Sequence, residues 1–302
     1  MLTRVVTRPA RRSHGSRLTR NPSDSHTCGM SVASAIVRTS HPEPAVAVTA
    51  VAALLSFGLG RTWPGVLVAA ATVLASQLSI GWVNDALDAP RDAAVGRTDK
   101  PVATGAISRR LVFTLGVTAA VVMVPLGFVS GITAGFVALL ALVSALLYDW
   151  PLKSTPVSVL PYALSFACLP AFVVIGAGLV PPPWLLAAGA LLGAGAHFVN
   201  ALPDLDDDVR TGVRGLPHLL GRRGSLGAAA VLLLAATAAL AFGPPGPPAP
   251  LFWPTLAVAL VALSIGVYAM RRNPSSRVPF LSVIAVALID VLFLLVSGLN
   301  LD

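Results

Sequence analysis

The stretch GVLVAAATVLASQLSIGWVNDALDAPRD, Gly65–Asp92, is almost uninterruptedly apolar as far as Val83 and then ends in an Asn and three acids: Asn84, Asp85, Asp88 and Asp92. An apolar run of about 20 residues is what a helix needs to cross lipid, where the backbone must satisfy its own hydrogen bonds. The acid-rich end has two readings: a solvated helix terminus, or a metal site at a membrane surface. The rest of the chain decides between them.

The composition extends the apolar half of that stretch to the whole chain. Of 302 residues, 55% are hydrophobic and only 11% charged, with a mean hydropathy of +0.80; soluble domains carry about 25% charged residues. Nine spans are expected, at 44–60, 65–86, 110–128, 131–148, 158–180, 184–203, 225–243, 252–270 and 278–297, making an all-α polytopic membrane protein. The net charge of +8 would suit nucleic acid, but the cations are distributed otherwise. Seven Arg fall in the first forty residues, thirteen Lys and Arg fall in the loops after spans 2, 4, 6 and 8, and Arg61 alone lies on the other side. This follows the positive-inside rule, with the N-terminus cytoplasmic and no role for nucleic acid. Cys28 and Cys168 provide no disulfide framework. Residues 1–42 read as a basic cytoplasmic tail whose Arg- and Ser-rich composition favours disorder or a targeting segment, which leaves 43–302 as the membrane domain. Abundant Ala, Val, Leu, Gly, Pro and Arg beside only two Lys points to a GC-rich genome and a bacterial cell membrane.

Nine of the thirteen carboxylates lie in the loops of the basic side. The opening stretch also has a twin. NDALDAPRDAAVG places Asn84, Asp88, Asp92 and Gly96 at four-residue intervals, and NALPDLDDDVRTG places Asn200, Asp204, Asp208 and Gly212 likewise, after spans 2 and 6. On a helix such residues share a face, about 6 Å apart along the axis. The spacing therefore predicts Asn84 with Asp88, and Asn200 with Asp204 and Asp208, on single faces; Asp207 stands nearby and Asp206 is solvated. Pro90 is expected to end or kink the first helix, so that Asp92 reaches back from the loop. Two facing carboxylate clusters repel one another unless something positive sits between them. Hard oxygen ligands of this kind suit Mg²⁺, which takes one or two carboxylates, several waters and a phosphate. The only lysines, Lys100 and Lys153, and the arginines Arg97 and Arg214 adjoin these motifs and suit phosphate binding. Arg109, Arg110, Arg222, Arg223, Arg271 and Arg272 read as topology charges, and Arg91 fits either role.

At this point the residues resemble the UbiA superfamily of intramembrane prenyltransferases. NDALDAPRD looks like its NDxxDxxxD motif, DKPVATGAIS its stretch of a basic residue, Pro and a later G-x-I-S, YDWPLK its YxxPxK loop, and NALPDLDDDVRTG its second Asp-rich motif. They follow spans 2, 4 and 6 in the family's order, and the resemblance covers about residues 44–297. It implies a helical bundle around a central cavity, open sideways to lipid, that transfers a prenyl group from a polyprenyl diphosphate to an acceptor, often aromatic. By resemblance, Asn84, Asp88, Asp92, Asp204 and Asp208 would hold Mg²⁺ and the diphosphate. Lys153, Arg97 and Arg214 would grip its oxygens, with Lys100 beside them. The chain departs from the pattern at Val213 and Ser154, where the family usually has a basic residue.

The chemistry agrees with the residue-level reading. Mg²⁺ and cations stabilise charge on a departing diphosphate, while an apolar cavity keeps water from the allylic cation left behind. Tyr148 would orient the diphosphate or face that cation, or else anchor at the interface. His197 and Asn200 would meet the acceptor or bond between helices. Asp290, deep in the last span, reads as a neutral, hydrogen-bonded acid. The alternative from another class is a transporter or lipid carrier using the acids for ion or lipid-diphosphate binding. A transporter places its binding groups near the bilayer midplane, whereas these charges crowd one rim.

Overall fold

The computed structural model describes residues 30–273 and 276–298, and Ser31 onward is one compact unit. Among the described residues all regular structure is helical. In chain order the α-helices are α1 (Val32–Thr39), α2 (Pro42–Gly58), α3 (Trp63–Ala94), α4 (Arg109–Val129), α5 (Ile132–Asp149) and α6 (Val159–Gly176). There follow α7 (Pro183–Ala201), α8 (Leu205–Arg210), α9 (Leu216–Phe242), α10 (Phe252–Arg272) and α11 (Val278–Ser297). Eight of these are long and apolar enough to cross a membrane, and the protein is a multi-pass integral membrane protein. The first of the nine expected spans corresponds to α2, a shorter apolar helix of 17 residues.

Neighbours in sequence pack together, α3 on α4, α5 on α6, α6 on α7 and α10 on α11, and α11 closes back against α2. Lipid gives no hydrophobic reward for joining helices, so close backbone approach does the work. At the α6–α7 contact, a Cβ on Gly193 would lie 2.6 Å from the Tyr162 carbonyl oxygen, and one on Gly189 2.5 Å from that of Phe166. Large side chains such as Val121, Phe136, Val231 and Val261 remain exposed on the outer faces, as expected of surfaces that meet lipid rather than water.

Four features differ from the sequence reading. First, α3 does not stop at Pro90 but continues to Ala94. Proline removes the amide that would bond the carbonyl four residues back, here Ala86. That carbonyl accepts instead from Arg109 Nε at 2.7 Å, so the helix runs on. At 32 residues α3 is about 48 Å long against a hydrocarbon core of about 30 Å, which carries its acidic end out to the rim. Second, Asn200, Asp204 and Asp208 do not share one helix. α7 ends at Ala201, Pro203 cannot continue it, and Asp204 caps the separate short helix α8. Third, α9 starts at Leu216, ahead of the expected 225, with a break at Gly221 (φ 66°). Fourth, the end of the expected basic tail is helical: α1 is capped by Ser31 and tied to α3 by Trp82 Nε1, which donates to the Ile36 carbonyl at 3.0 Å. The earlier part of that tail, with Cys28, lies outside the described residues.

Candidate functional site

Because α3 passes through Pro90, Asn84, Asp88 and Asp92 stand on one helical face, each a little over one turn from the last. Asn84 Nδ2 donates to Asp149 Oδ1 at 3.0 Å, and Asp149 is buried at the end of α5. Asp88 accepts from both Lys153 and Arg91. Asp92 is half-buried, makes no hydrogen bond with its side chain among the described residues, and lies within electrostatic reach of Lys100, Asp88 and Arg97.

The two motifs end alike. Gly96 (φ 74°) and Gly212 (φ 85°) each adopt the left-handed conformation just past a helix C-terminus. In each the following amide returns to the carbonyl of the third member of the spacing: Arg97 N to Asp92 O at 2.9 Å, and Val213 N to Asp208 O at 2.8 Å. The fourth member of the repeated spacing is thus a helix-terminating glycine, which needs positive φ. The shared spacing encodes a common exit turn even though the helices before it differ.

Arg97 joins the motifs. Its guanidinium holds Asp99 through two bonds, at 2.8 and 2.9 Å, and Asp204 Oδ1 at 2.6 Å. Those hydrogen bonds outweigh partial burial, keeping Asp99 low, at about 2, and raising Arg97. Lys100 Nζ donates to Asp85 Oδ1 at 2.6 Å, and His41 Nε2 meets the same oxygen at 2.9 Å. Burial disfavours the Lys100 charge, but Asp85 more than compensates, and its pKa rises. Asp208 is different. Burial first, then the nearby charges of Asp204 and Asp88, push its carboxyl up to about 7, and the group facing it is His218, with Nε2 3.3 Å from Oδ2. Asp206 is 87% exposed, as expected for the solvated position. Arg214 is exposed and forms no ion pair among the described residues.

Beside this charged rim a cavity of about 320 Å³ opens between α2, α3, α5, α6, α7 and α11. Asn84, Tyr148 and Asn200 line its polar end, while Asp88, Asp204, Asp208 and Lys153 lie outside its walls. Tyr148 meets Tyr162 edge-on (4.7 Å, 86°) and His197 likewise (5.4 Å, 86°). Asn200 Nδ2 donates to the Tyr162 hydroxyl at 3.0 Å, and His197 Nε2 pairs with Ser158 Oγ at 3.1 Å, so both expected acceptor contacts are engaged between helices. Asp290 also borders the cavity, accepting from the Thr237 hydroxyl at 3.0 Å.

Sequence reasoning passed over Asp85, His41, Asp149, Tyr162 and His218. Asp85 sits inside the quoted motif, but its burial (2% exposed) has no sequence signal. His218 carries no spacing relation to Asp208 at all.

The donor set can be tested against a divalent cation. Among the described residues no three acid, His or Cys side chains are grouped closely enough to cage one. The arrangement instead presents carboxylates on two strips, α3 and the α8 turn, linked where Arg97, just past α3, reaches Asp204. Burial first, and then the nearby charges of Asp204 and Asp88, lift Asp208 out of the ordinary carboxylate range. That fits a hard cation held by one or two carboxylates and completed by water and phosphate.

The UbiA prenyltransferase family model matches residues 45–293. The chain is 32% identical over 191 residues to a digeranylgeranylglyceryl phosphate synthase of Methanopyrus kandleri, covering 61% of this chain and 67% of the relative. A Pyrococcus horikoshii protein of the same name is 29% identical over 145 residues, and there the chain spans about half (52%) of the relative's length. Among solved structures, the fold resembles the apo structure of a UbiA homologue from Aeropyrum pernix K1 (TM-score 0.67, 21% identity, 84% of this chain and 98% of that one). It also resembles a UbiA homologue from Archaeoglobus fulgidus bound to GPP and Mg²⁺ (TM-score 0.68, 16% identity, 88% and 99%).

Proposed function

The chain belongs to the UbiA prenyltransferase family, and from that premise we propose that it transfers a prenyl group from a polyprenyl diphosphate to a membrane-embedded acceptor, with Mg²⁺, releasing diphosphate. The observation that carries this reading is the bridge from Arg97 to Asp204, which draws the two acidic motifs together at the polar end of an apolar cavity. Asp88, Asp92, Asp204 and Asp208, with Asn84, are the residues that would hold Mg²⁺. When bound, it supplies Lewis-acid stabilisation of the charge developing on the departing diphosphate. Lys153 and Arg91 neutralise Asp88, and Arg97 neutralises Asp204. Lys153 and Arg97, which stand on those acids, would grip the diphosphate oxygens, joined by the exposed Arg214. Lys100, held by Asp85, contributes positive field from a fixed position. Tyr148 and Tyr162 stand at the end of the cavity nearest the rim, where their π faces shield an allylic cation, and the apolar walls exclude water from it.

The name of the curated relatives supports an acceptor bearing a glyceryl phosphate. The aromatic acceptor expected from the family resemblance is a second reading, favoured by the rings of Tyr162 and Phe166, stacked at 6.2 Å beside the cavity. The basic rim is read as cytoplasmic, which the solitary position of Arg61 on the other side supports.

The test is to incubate purified protein with labelled polyprenyl diphosphates and two acceptor panels, prenylated glyceryl phosphates and hydroxylated aromatics. Mg²⁺-dependent product from the first panel is expected. Product from the second alone would exchange the acceptor and keep the chemistry. Binding of prenyl diphosphate that ignores both Mg²⁺ and a chelator would contradict the reading.

A further inference from the structure

Asp208 alone among the principal motif acids with a side-chain partner faces a histidine rather than a Lys or Arg, and that histidine is held by the backbone. Gly215 N–H donates to His218 Nδ1 at 3.0 Å. A ring nitrogen that accepts a hydrogen bond carries no proton, so in the neutral ring the proton resides on Nε2. Nε2 is buried, makes no hydrogen bond among the described residues, and lies 3.3 Å from Asp208 Oδ2. The side chain is 6% exposed. The segment carrying it is fixed independently of the membrane part of α9, because the chain breaks at Gly221. It is fastened to the loop that bears Lys153: Leu216 N donates to Ser158 Oγ at 3.0 Å, and Gly215 packs so closely on the Lys153 carbonyl that a Cβ would clash.

Resting on the diphosphate reading, we propose that His218 is a positioning residue for that site. Locked as the Nε2–H tautomer by the Gly215 amide, it stands as a donor beside one oxygen of Asp208 and would engage that oxygen while the other serves Mg²⁺. An unrestrained carboxylate would turn towards the cations around it, of which Lys153 and Arg91 both lie within electrostatic reach of Asp208. A neutral donor fixes the carboxylate without cancelling its charge. This separates His218 from Lys153 and Arg97, which neutralise the acids they touch.

Two substitutions divide the ring's functions. His218→Asn keeps an acceptor where Nδ1 stood, and so retains the bond from Gly215, but cannot reach Asp208. His218→Gln keeps a donor near the place of Nε2 and weakens the Gly215 bond. The probe is a non-transferable prenyl thiodiphosphate, titrated onto the detergent-solubilised protein with and without Mg²⁺, with thermal stability measured in parallel. A hydrogen bond to a charged group predicts a loss of about tenfold or more in Mg²⁺-dependent affinity for His218→Asn at unchanged Tm. His218→Gln should stay near wild type. In an Asp208→Asn background, His218→Asn should add no further loss. Wild-type affinity in His218→Asn, or a loss that persists in the Asp208→Asn background, would overturn the positioning role while leaving the diphosphate reading intact. Absence of Mg²⁺-dependent binding in the wild type would overturn both.

Discussion

The acids of the rim differ in what stands opposite each of them. Asp85 is buried between Lys100 and His41, and Asp88 and Asp204 each face a Lys or Arg. Removing one partner of a buried pair strands the other, so Asp85→Ala should destabilise the protein by about 3–5 kcal/mol, measurable as a lower unfolding midpoint in detergent. A midpoint equal to that of wild type would mean that Lys100 finds another partner. Asp208, raised to about 7 by burial and then by Asp204 and Asp88, behaves in the opposite sense. In the unfolded chain it ionises near the ordinary value of about 3.9. Its favourable contribution is therefore complete below that value and disappears as pH rises through about 7. Without added Mg²⁺, the wild type should lose stability between pH 4 and 8 relative to Asp208→Asn, with the difference growing towards the upper end. Parallel curves would show that the carboxyl is not under strain.

At the scale of the element, α3 decides the geometry of the site, and it holds because Arg109 replaces the amide that Pro90 lacks. Arg109→Ala would leave the Ala86 carbonyl without that bond, at a cost of about 1–3 kcal/mol. The last turns of α3 should fray, raising amide exchange from Asp88 to Ala94 and weakening diphosphate binding; unchanged exchange would assign the helix another support. This also marks the limit of what the sequence could reveal. The membrane helices were legible because each must supply about 20 apolar residues, and only α2 falls short, at 17 residues. Pro90 reads as an end or a kink because its rescuer lies 23 residues away, in a residue that also satisfies the charge rule. In the second motif the same four-residue spacing was read as one helical face, yet Pro203 separates Asn200 on α7 from Asp204 at the cap of α8. The glycines were the durable part of the pattern, since Gly96 and Gly212 both close their helices at positive φ. Partnerships such as Asn84 with Asp149 join residues far apart in sequence and leave no periodic trace.

Across the whole molecule, charge and cavity are arranged in sequence from rim to interior. The paired acids and cations stand outside the cavity, Asn84, Tyr148 and Asn200 form its polar end, and apolar helices enclose the remainder. Asp290, bonded to Thr237, is the carboxyl that lies deeper, about 18 Å along α11 from its start. An anionic head group held at the rim with an apolar tail inside matches this gradient, and both acidic strips border the head. The most direct measurement is therefore Mg²⁺-dependent release of diphosphate from a labelled polyprenyl diphosphate in the presence of acceptor, comparing wild type with Asp88→Asn and Asp204→Asn. Each substitution, on either strip, is expected to lower the rate by on the order of 10²-fold or more. Full activity in either variant would contradict a site built jointly from α3 and the α8 turn.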